Sequence, residues 1–244
     1  MIPLIYTLVT CHIMMAIGAI YLHRGLSHRL IDFHPALEHV IRMYLWLIDG
    51  THVKSWVATH RMHHRFTDVP GDPHSPQLVG LFQVAVVTFF RTMIYRYKNN
   101  FSEAEMTTYG SGTPDDWMER NIYCHQRLGM VLMLIINVLL FGRIGIICWL
   151  CQISISPLIA NAYTTGILHW GGGYQHEDCK DASRNHIYPG LSLFIVGDQL
   201  HSNHHALPRA LKLSCKWYEF DLSWVYIRIL WSLGLLKPSY MAKL

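Results

Sequence analysis

Nine histidines, in three clusters and a singleton, constrain this chain more than any other feature. The clusters are His23-Arg-Gly-Leu-Ser-His28, His60-Arg-Met-His63-His64 and His201-Ser-Asn-His204-His205, and the singleton is His169 in Leu168-His169-Trp170-Gly171. Residues three and four apart share a helix face, so each H-x-x-H-H box offers three imidazoles within an arc of about 100°. His23 and His28 are five apart, about 140° round a regular helix, and converge where a helix ends and its last turn loosens. Burying so many imidazoles without a common partner would leave many polar nitrogens unpaired. Metal is the partner this pattern implies, since imidazole suits zinc, copper, iron and nickel. Nine ligands exceed what one ion uses, so two ions are expected. Zinc sites use four protein groups or fewer; an all-imidazole pair beside lipid suits iron and dioxygen chemistry better.

The surroundings of these clusters are apolar. Residues 2–22 contain no Asp, Glu, Lys or Arg, long enough to cross a hydrocarbon core of about 30 Å. Met1-Ile-Pro-Leu has no basic residue, so the run reads as a retained span rather than a signal peptide. A second block, Leu128 to Ala160, holds one charge, Arg143, between Gly142 and Gly145. It reads as a tight hairpin of two helices, with Tyr123 to Arg127 extending the first arm by snorkelling. Two shorter runs, Pro35 to Ile48 and Leu78 to Phe90, fit the interface or the core better than a span. Only 15% of residues are charged, against about 25% in soluble domains. The net charge of +4 comes with no basic stripe of interleaved aromatics, so no nucleic-acid partner is expected. Cys148 and Cys151 lie inside an apolar run and read as lipid-facing or packed, and no disulfide framework is present.

Three spans would put residues 23–127 and 161–244 on one side, with nineteen of the twenty Lys and Arg and every clustered histidine. The positive-inside rule makes that side cytoplasmic and leaves the N-terminus and Arg143 outside. The expected fold is therefore all-α: a single domain over residues 1–244, an integral membrane helical protein with about three spans and a cytosolic helical cap holding a dimetal site.

The motifs resemble those of the membrane-bound fatty acid desaturases, in particular the Δ9 acyl-CoA (stearoyl-CoA type) desaturases and their bacterial relatives. The resemblance runs along nearly the whole chain. It covers His23 to Arg29, Trp56 to His64, Asp72-Pro-His-Ser-Pro76, Gly112-Thr-Pro-Asp-Asp-Trp117 and His169-Trp-Gly-Gly-Gly-Tyr174. It continues through Asp181-Ala-Ser-Arg-Asn185, Gly197 to His205 and Lys216-Trp-Tyr-Glu-Phe-Asp221. It implies that His23, His28, His60, His63, His64, His169, His201, His204 and His205 hold two ferrous ions. It also implies a cis double bond, at Δ9, made in a long-chain acyl substrate (acyl-CoA or another acyl lipid) with O2 and two electrons. No cytochrome or ferredoxin domain lies within the chain, so a separate donor such as ferredoxin or cytochrome b5 is expected.

Three departures stand out. Thr165 occupies the position where the family carries an Asn that holds an iron-bound water. Asp198 replaces the usual Glu after Gly197, and Ala58-Thr59 replaces the Arg-Asp with which animal members meet coenzyme A. Thr165, Asp198, His74 and Asn203 are candidates for supporting the metal ligands, and Trp46, Phe82, Phe89 and Phe90 for lining an acyl tunnel. The histidine boxes alone also fit a membrane di-iron fatty acyl hydroxylase. A histidine-rich metal-binding or transport protein would usually place its ligands within the spans, whereas here they lie just outside.

Overall fold

The computed structural model describes residues 1–90, 101–188 and 190–243. It is mostly helical. α1, Ile2–Ser27, is a continuous helix of 26 residues. Pro3 sits in its first turn, where a missing N–H costs no hydrogen bond. At about 1.5 Å per residue α1 is about 39 Å long, more than a hydrocarbon core requires. The next helices are α2 (Pro35–Ile48), α3 (Val53–Phe66), α4 (Pro76–Val79) and α5 (Glu103–Tyr109). They are followed by α6 (Gln126–Phe141) and α7, 28 residues from Arg143 to Trp170. Three short helices complete the chain, α8 (Leu191–Ile195), α9 (His201–Ala206) and α10 (Leu222–Ser232). Two three-residue strands, Ile31–Phe33 and Leu236–Pro238, pair antiparallel and tie the C-terminal segment to the end of α1.

The expected hairpin forms at the expected place. Gly142 alone separates α6 from α7, at φ +59°, a conformation that side chains with a Cβ resist. A Cβ on Gly145 would lie 2.1 Å from the Asn137 carbonyl oxygen, so the two backbones touch. Buried amides lock the apolar bundle: Asn137 Nδ2 donates to Gln152 Oε1 (2.8 Å), and Gln152 Nε2 donates to Thr10 Oγ1 on α1 (3.0 Å). Side-chain hydrogen bonds of this kind join helices where water offers no alternative partner.

The expectation of about three spans is met in part. Among the described residues, only α1 and α7 are long and apolar enough to cross a membrane. α6 has 16 residues, about 24 Å, and the chain does not extend it backwards, because Cys124 and His125 separate it from the short π-helix Glu119–Tyr123. α2 packs Ile41, Leu45 and Ile48 with Tyr21 and Leu22 of α1 and Val57 of α3 in the main core. That burial sets α3, and with it the second histidine box, against the end of α1.

Candidate metal centre

Both long helices widen where they reach the histidines. The last ten residues of α1, Gly18–Ser27, take π geometry, and so does Ile159–Ile167 of α7, just before His169. In a π-helix the bond runs from residue i to i−5, and His28 N–H donates to the His23 carbonyl at 3.1 Å. Residues five apart therefore stack on one side, and the His23 and His28 rings lie 5.2 Å apart. This loosening removes the 140° separation of a regular helix.

All nine clustered histidines meet, in two groups. His23, His28, His60, His64 and His204 form one, and His63, His169, His201 and His205 form the other; within each, the potential ligand atoms lie within 4.8 Å of one another. Each H-x-x-H-H box divides between the groups by helix geometry. Residues i and i+4 differ by only about 40°, while i+3 turns away on the other side. So His60 and His64 serve the first group and His63 the second; His201 and His205 serve the second and His204 the first. His204 is central: its Nε2 stands 2.9 Å from His23 Nε2 and 2.9 Å from His64 Nε2. His28 and His60 face each other at 3.0 Å, and His169 and His201 at 2.9 Å.

The chemistry of these contacts suits a cation. Four carboxylates accept the far nitrogen, Nδ1–H, of four of the rings: Asp198 from His23 at 3.3 Å, Asp72 from His63 at 2.9 Å, Asp68 from His169 at 3.3 Å and Asp181 from His205 at 2.8 Å. With Nδ1 protonated, the lone pair is on Nε2, and it points into the group. Carboxylate-backed histidine is the usual outer arrangement of a metal site, since it fixes tautomer and orientation. Two imidazole nitrogens about 2.1 Å from one ion, at right angles, stand about 3.0 Å apart, which matches the spacings here. The buried His205 Nε2 has no protein partner, the orphaned atom that an ion would satisfy.

Burial, followed by neighbouring histidines or charges, pulls His28, His60, His64, His201 and His204 well below the ordinary imidazole range. Burial takes His205 down to about 3, against the upward pull of Asp181. Burial pushes the Asp72 and Asp68 carboxyls up, but hydrogen bonds from His63 and His169 bring them below the usual carboxylate value. Metal-binding imidazole must be neutral, and this environment keeps it so. A pH dependence follows for metal-free protein. The unfolded chain takes up protons near pH 6.5, which the folded histidines refuse, so stability holds above that pH and falls as pH drops below it. The depressed carboxylates act only below about pH 4. Thermal midpoints of chelator-treated protein should therefore fall between pH 7 and 5; a flat profile would show that these rings are not buried neutral.

Of the four other candidates, Asp198, His74 and Thr165 line the cavity beside the histidines and Asn203 does not. Asp198 backs His23, as stated. His74 lines the cavity beside both groups, with its ring 4.7 Å from that of His63. Thr165 lines the same cavity. Asn203 points away from the histidine groups: its Nδ2 donates to Glu219 (2.8 Å) and to the Leu213 carbonyl (2.9 Å). Asp68, Asp72 and Asp181 escaped sequence reasoning as partners of ligands. Asp72 and Asp181 lie in quoted motifs, but Asp68 carries no local signal. The cavity, about 170 Å³, runs between α1 and α7 past Met14, Gly18 and Leu22 on one side and Ala160, Thr164 and Thr165 on the other. The proposed tunnel aromatics do not line it. Trp46 packs against Tyr123 and donates to the His125 carbonyl; Phe82 and Phe90 are exposed, and Phe89 lies against Phe90. Trp56 lines it instead, stacked on His60 at 5.3 Å. Of the remaining histidines, His34 and His52 cap α2 and α3. His12 joins α1 to the Leu193 carbonyl and the Tyr226 hydroxyl.

Comparison with known proteins gives the same direction. The profile of the fatty acid desaturase family matches residues 1–232. A Delta-9 desaturase-like 3 protein of Arabidopsis thaliana is 30% identical over 220 residues, covering 87% of this chain and 68% of that protein. An acyl-CoA 5-desaturase of Anemone leveillei is 28% identical over 224 residues, 87% of this chain and 64% of its own length. An sn-1 stearoyl-lipid 9-desaturase of Synechocystis sp. is 28% identical over 222 residues, 88% and 64%. A match extending over nearly all of its length means that the chain belongs to the fatty acid desaturase family.

Proposed function

We propose that the chain is an oxygen-dependent di-iron acyl desaturase that inserts a cis double bond, at Δ9, into a saturated long-chain acyl group. One observation carries this reading: nine histidines gather as five and four around lone pairs aimed inward, and both groups border a cavity leading away between two long apolar helices. Iron held by the five and the four histidines would supply dioxygen activation and hydrogen removal. The chain's own task is to bind and orient. Met14, Gly18, Leu22 and Ala160 offer an apolar path that aligns methylenes with the metal groups and excludes water. Four carboxylates hold the imidazoles in their ligating tautomer. Two electrons come from a separate donor such as ferredoxin or cytochrome b5.

α1 and α7 both carry histidines at their C-terminal ends, and the Gly142 turn lies at the opposite end of α7. This polarity supports a bilayer-embedded protein with the metal groups at the cytoplasmic face and the N-terminus and Arg143 outside. α6 would complete a third span by tilting less and drawing the bilayer thinner. Relatives of equal identity are named for position 9 and position 5, so Δ9 rests on the motifs rather than on identity. Expression in a host lacking its own desaturase, with fatty acids analysed by mass spectrometry after derivatisation at the double bond, tests the reading. A new monoenoic acid with its bond at carbon 9 is expected. A hydroxy acid would point to hydroxylation instead, and an unchanged profile from correctly inserted, iron-loaded protein would overturn the proposal.

A further inference from the structure

The segment Lys216-Trp-Tyr-Glu-Phe-Asp221 lies outside both metal groups, yet its alternate residues turn inward. Glu219 and Asp221 are buried, whereas Tyr218 before them and Phe220 between them are exposed. Asp221 meets Arg24, which is fully buried and directly follows His23. Arg24 Nη2 donates to both carboxylate oxygens, at 3.2 and 3.3 Å, and Nη1 donates to Ser223 Oγ. The carboxylate is then saturated: Oδ1 accepts from Ser223 Oγ (2.6 Å) and Trp224 N–H (3.1 Å), and Oδ2 from Leu213 N–H (2.8 Å). It also presses on the loop before the third box. A Cβ on Gly197, at φ +103°, would lie 2.3 Å from Asp221 Oδ1, so the backbone can sit here only because it bears no side chain. The next residue, Asp198, accepts from His23 Nδ1. Asp221 thus reaches His23 by two routes, through Arg24 on its own helix and through Gly197 and Asp198 behind its ring.

We propose that Asp221 is a positioning residue for His23, and that the buried Arg24–Asp221–Ser223 cluster is a support private to the five-histidine metal group. His23 and His28 belong to that group alone, and none of the cluster's hydrogen bonds reaches the other four. A buried ion pair is weak evidence for stability in itself. Its value here is geometric, since the guanidinium is anchored at three points and fixes the rotation of the π-helical end of α1. Supports one step outside a metal site typically govern 10- to 100-fold in metal affinity.

The inference rests on the reading of the nine histidines as metal ligands, and metal counting separates the two. Detergent-solubilised full chain, stripped with chelator, is titrated with Co(II) by equilibrium dialysis. Wild type should take up two equivalents; failure to do so sinks the ligand reading itself. Given two equivalents in wild type, Asp221→Asn should bind one equivalent with unchanged affinity and the other about 10- to 100-fold more weakly, while Asp221→Glu recovers part of the loss. Two equivalents bound as in wild type, or both weakened together in step with the thermal midpoint, would overturn the proposal. Should Asp221→Asn not purify as a monodisperse protein, Arg24→Lys, which keeps the charge but loses the fork, is read by the same two outcomes.

Discussion

His204→Ala is expected to abolish turnover. Losing a support outside a metal site already costs about 10- to 100-fold, so losing a ligand should exceed that. His204 has the largest leverage because its Nε2 lies 2.9 Å from both His23 and His64, holding the third box to the first and second. Removing it opens the five-histidine group at its centre, whereas His63, His169, His201 and His205 keep their contacts. Purified protein should therefore show lost desaturation together with one metal equivalent in place of two. His39→Ala, in neither group, provides the control. Wild-type product levels in His204→Ala, in protein of normal metal content, would remove the di-iron reading.

Gly18→Leu is expected to separate folding from function. Gly18 lines the cavity, and a Cβ added there meets no heavy atom within 4 Å. Its φ of −54° is helical, so leucine adopts it without strain and gains about 1 kcal/mol of helix propensity over glycine. The variant should fold at least as well as wild type. Its new side chain would fill the space that a substrate chain needs between the metal groups and Met14. A mismatch of one methylene in an apolar pocket is worth about 10- to 200-fold, and four added carbons should place the loss on longer acyl chains at the upper end. Turnover across a series of saturated chain lengths, alongside thermal midpoints, reads both effects. Equal turnover of all lengths would mean the acyl group lies elsewhere.

Much of this centre was legible in the sequence because its signals are local. Three- and four-residue spacing announces a shared helix face, and an uncharged run beginning at Ile2 announces a long apolar helix. The Gly142 to Gly145 break marked the hairpin for the same reason. The division of the nine histidines into five and four was not legible. It depends on which side of α3 and α9 each neighbouring helix approaches, and spacing within a box carries no information about that. The partners Asp68 and Asp181 were hidden likewise: their histidines lie at a distance of 101 and 24 residues along the chain. The tunnel aromatics failed for another reason. Large apolar residues satisfy a core or a lipid-facing surface as well as a tunnel, and Gly18 and Ala160, which do line the cavity, look unremarkable in a string of letters.

The π-helical end of α1 makes this stretch a measured ruler. Each residue of Gly18–Ser27 contributes to a register in which bonding five apart, rather than four, aims His23 and His28 together. Side chains there can change and leave that register intact. An insertion of one residue cannot: six apart on a helix of ordinary pitch, the two histidines would stand about 120° from each other, whereas a deletion that relaxed the helix to that pitch would leave them four apart and only about 40° from each other. Lineages of this chain should therefore vary in spelling between the two histidines and tolerate one residue fewer, on an ordinary helix, but not one more, and a single-codon insertion there would silence the protein as surely as losing a ligand.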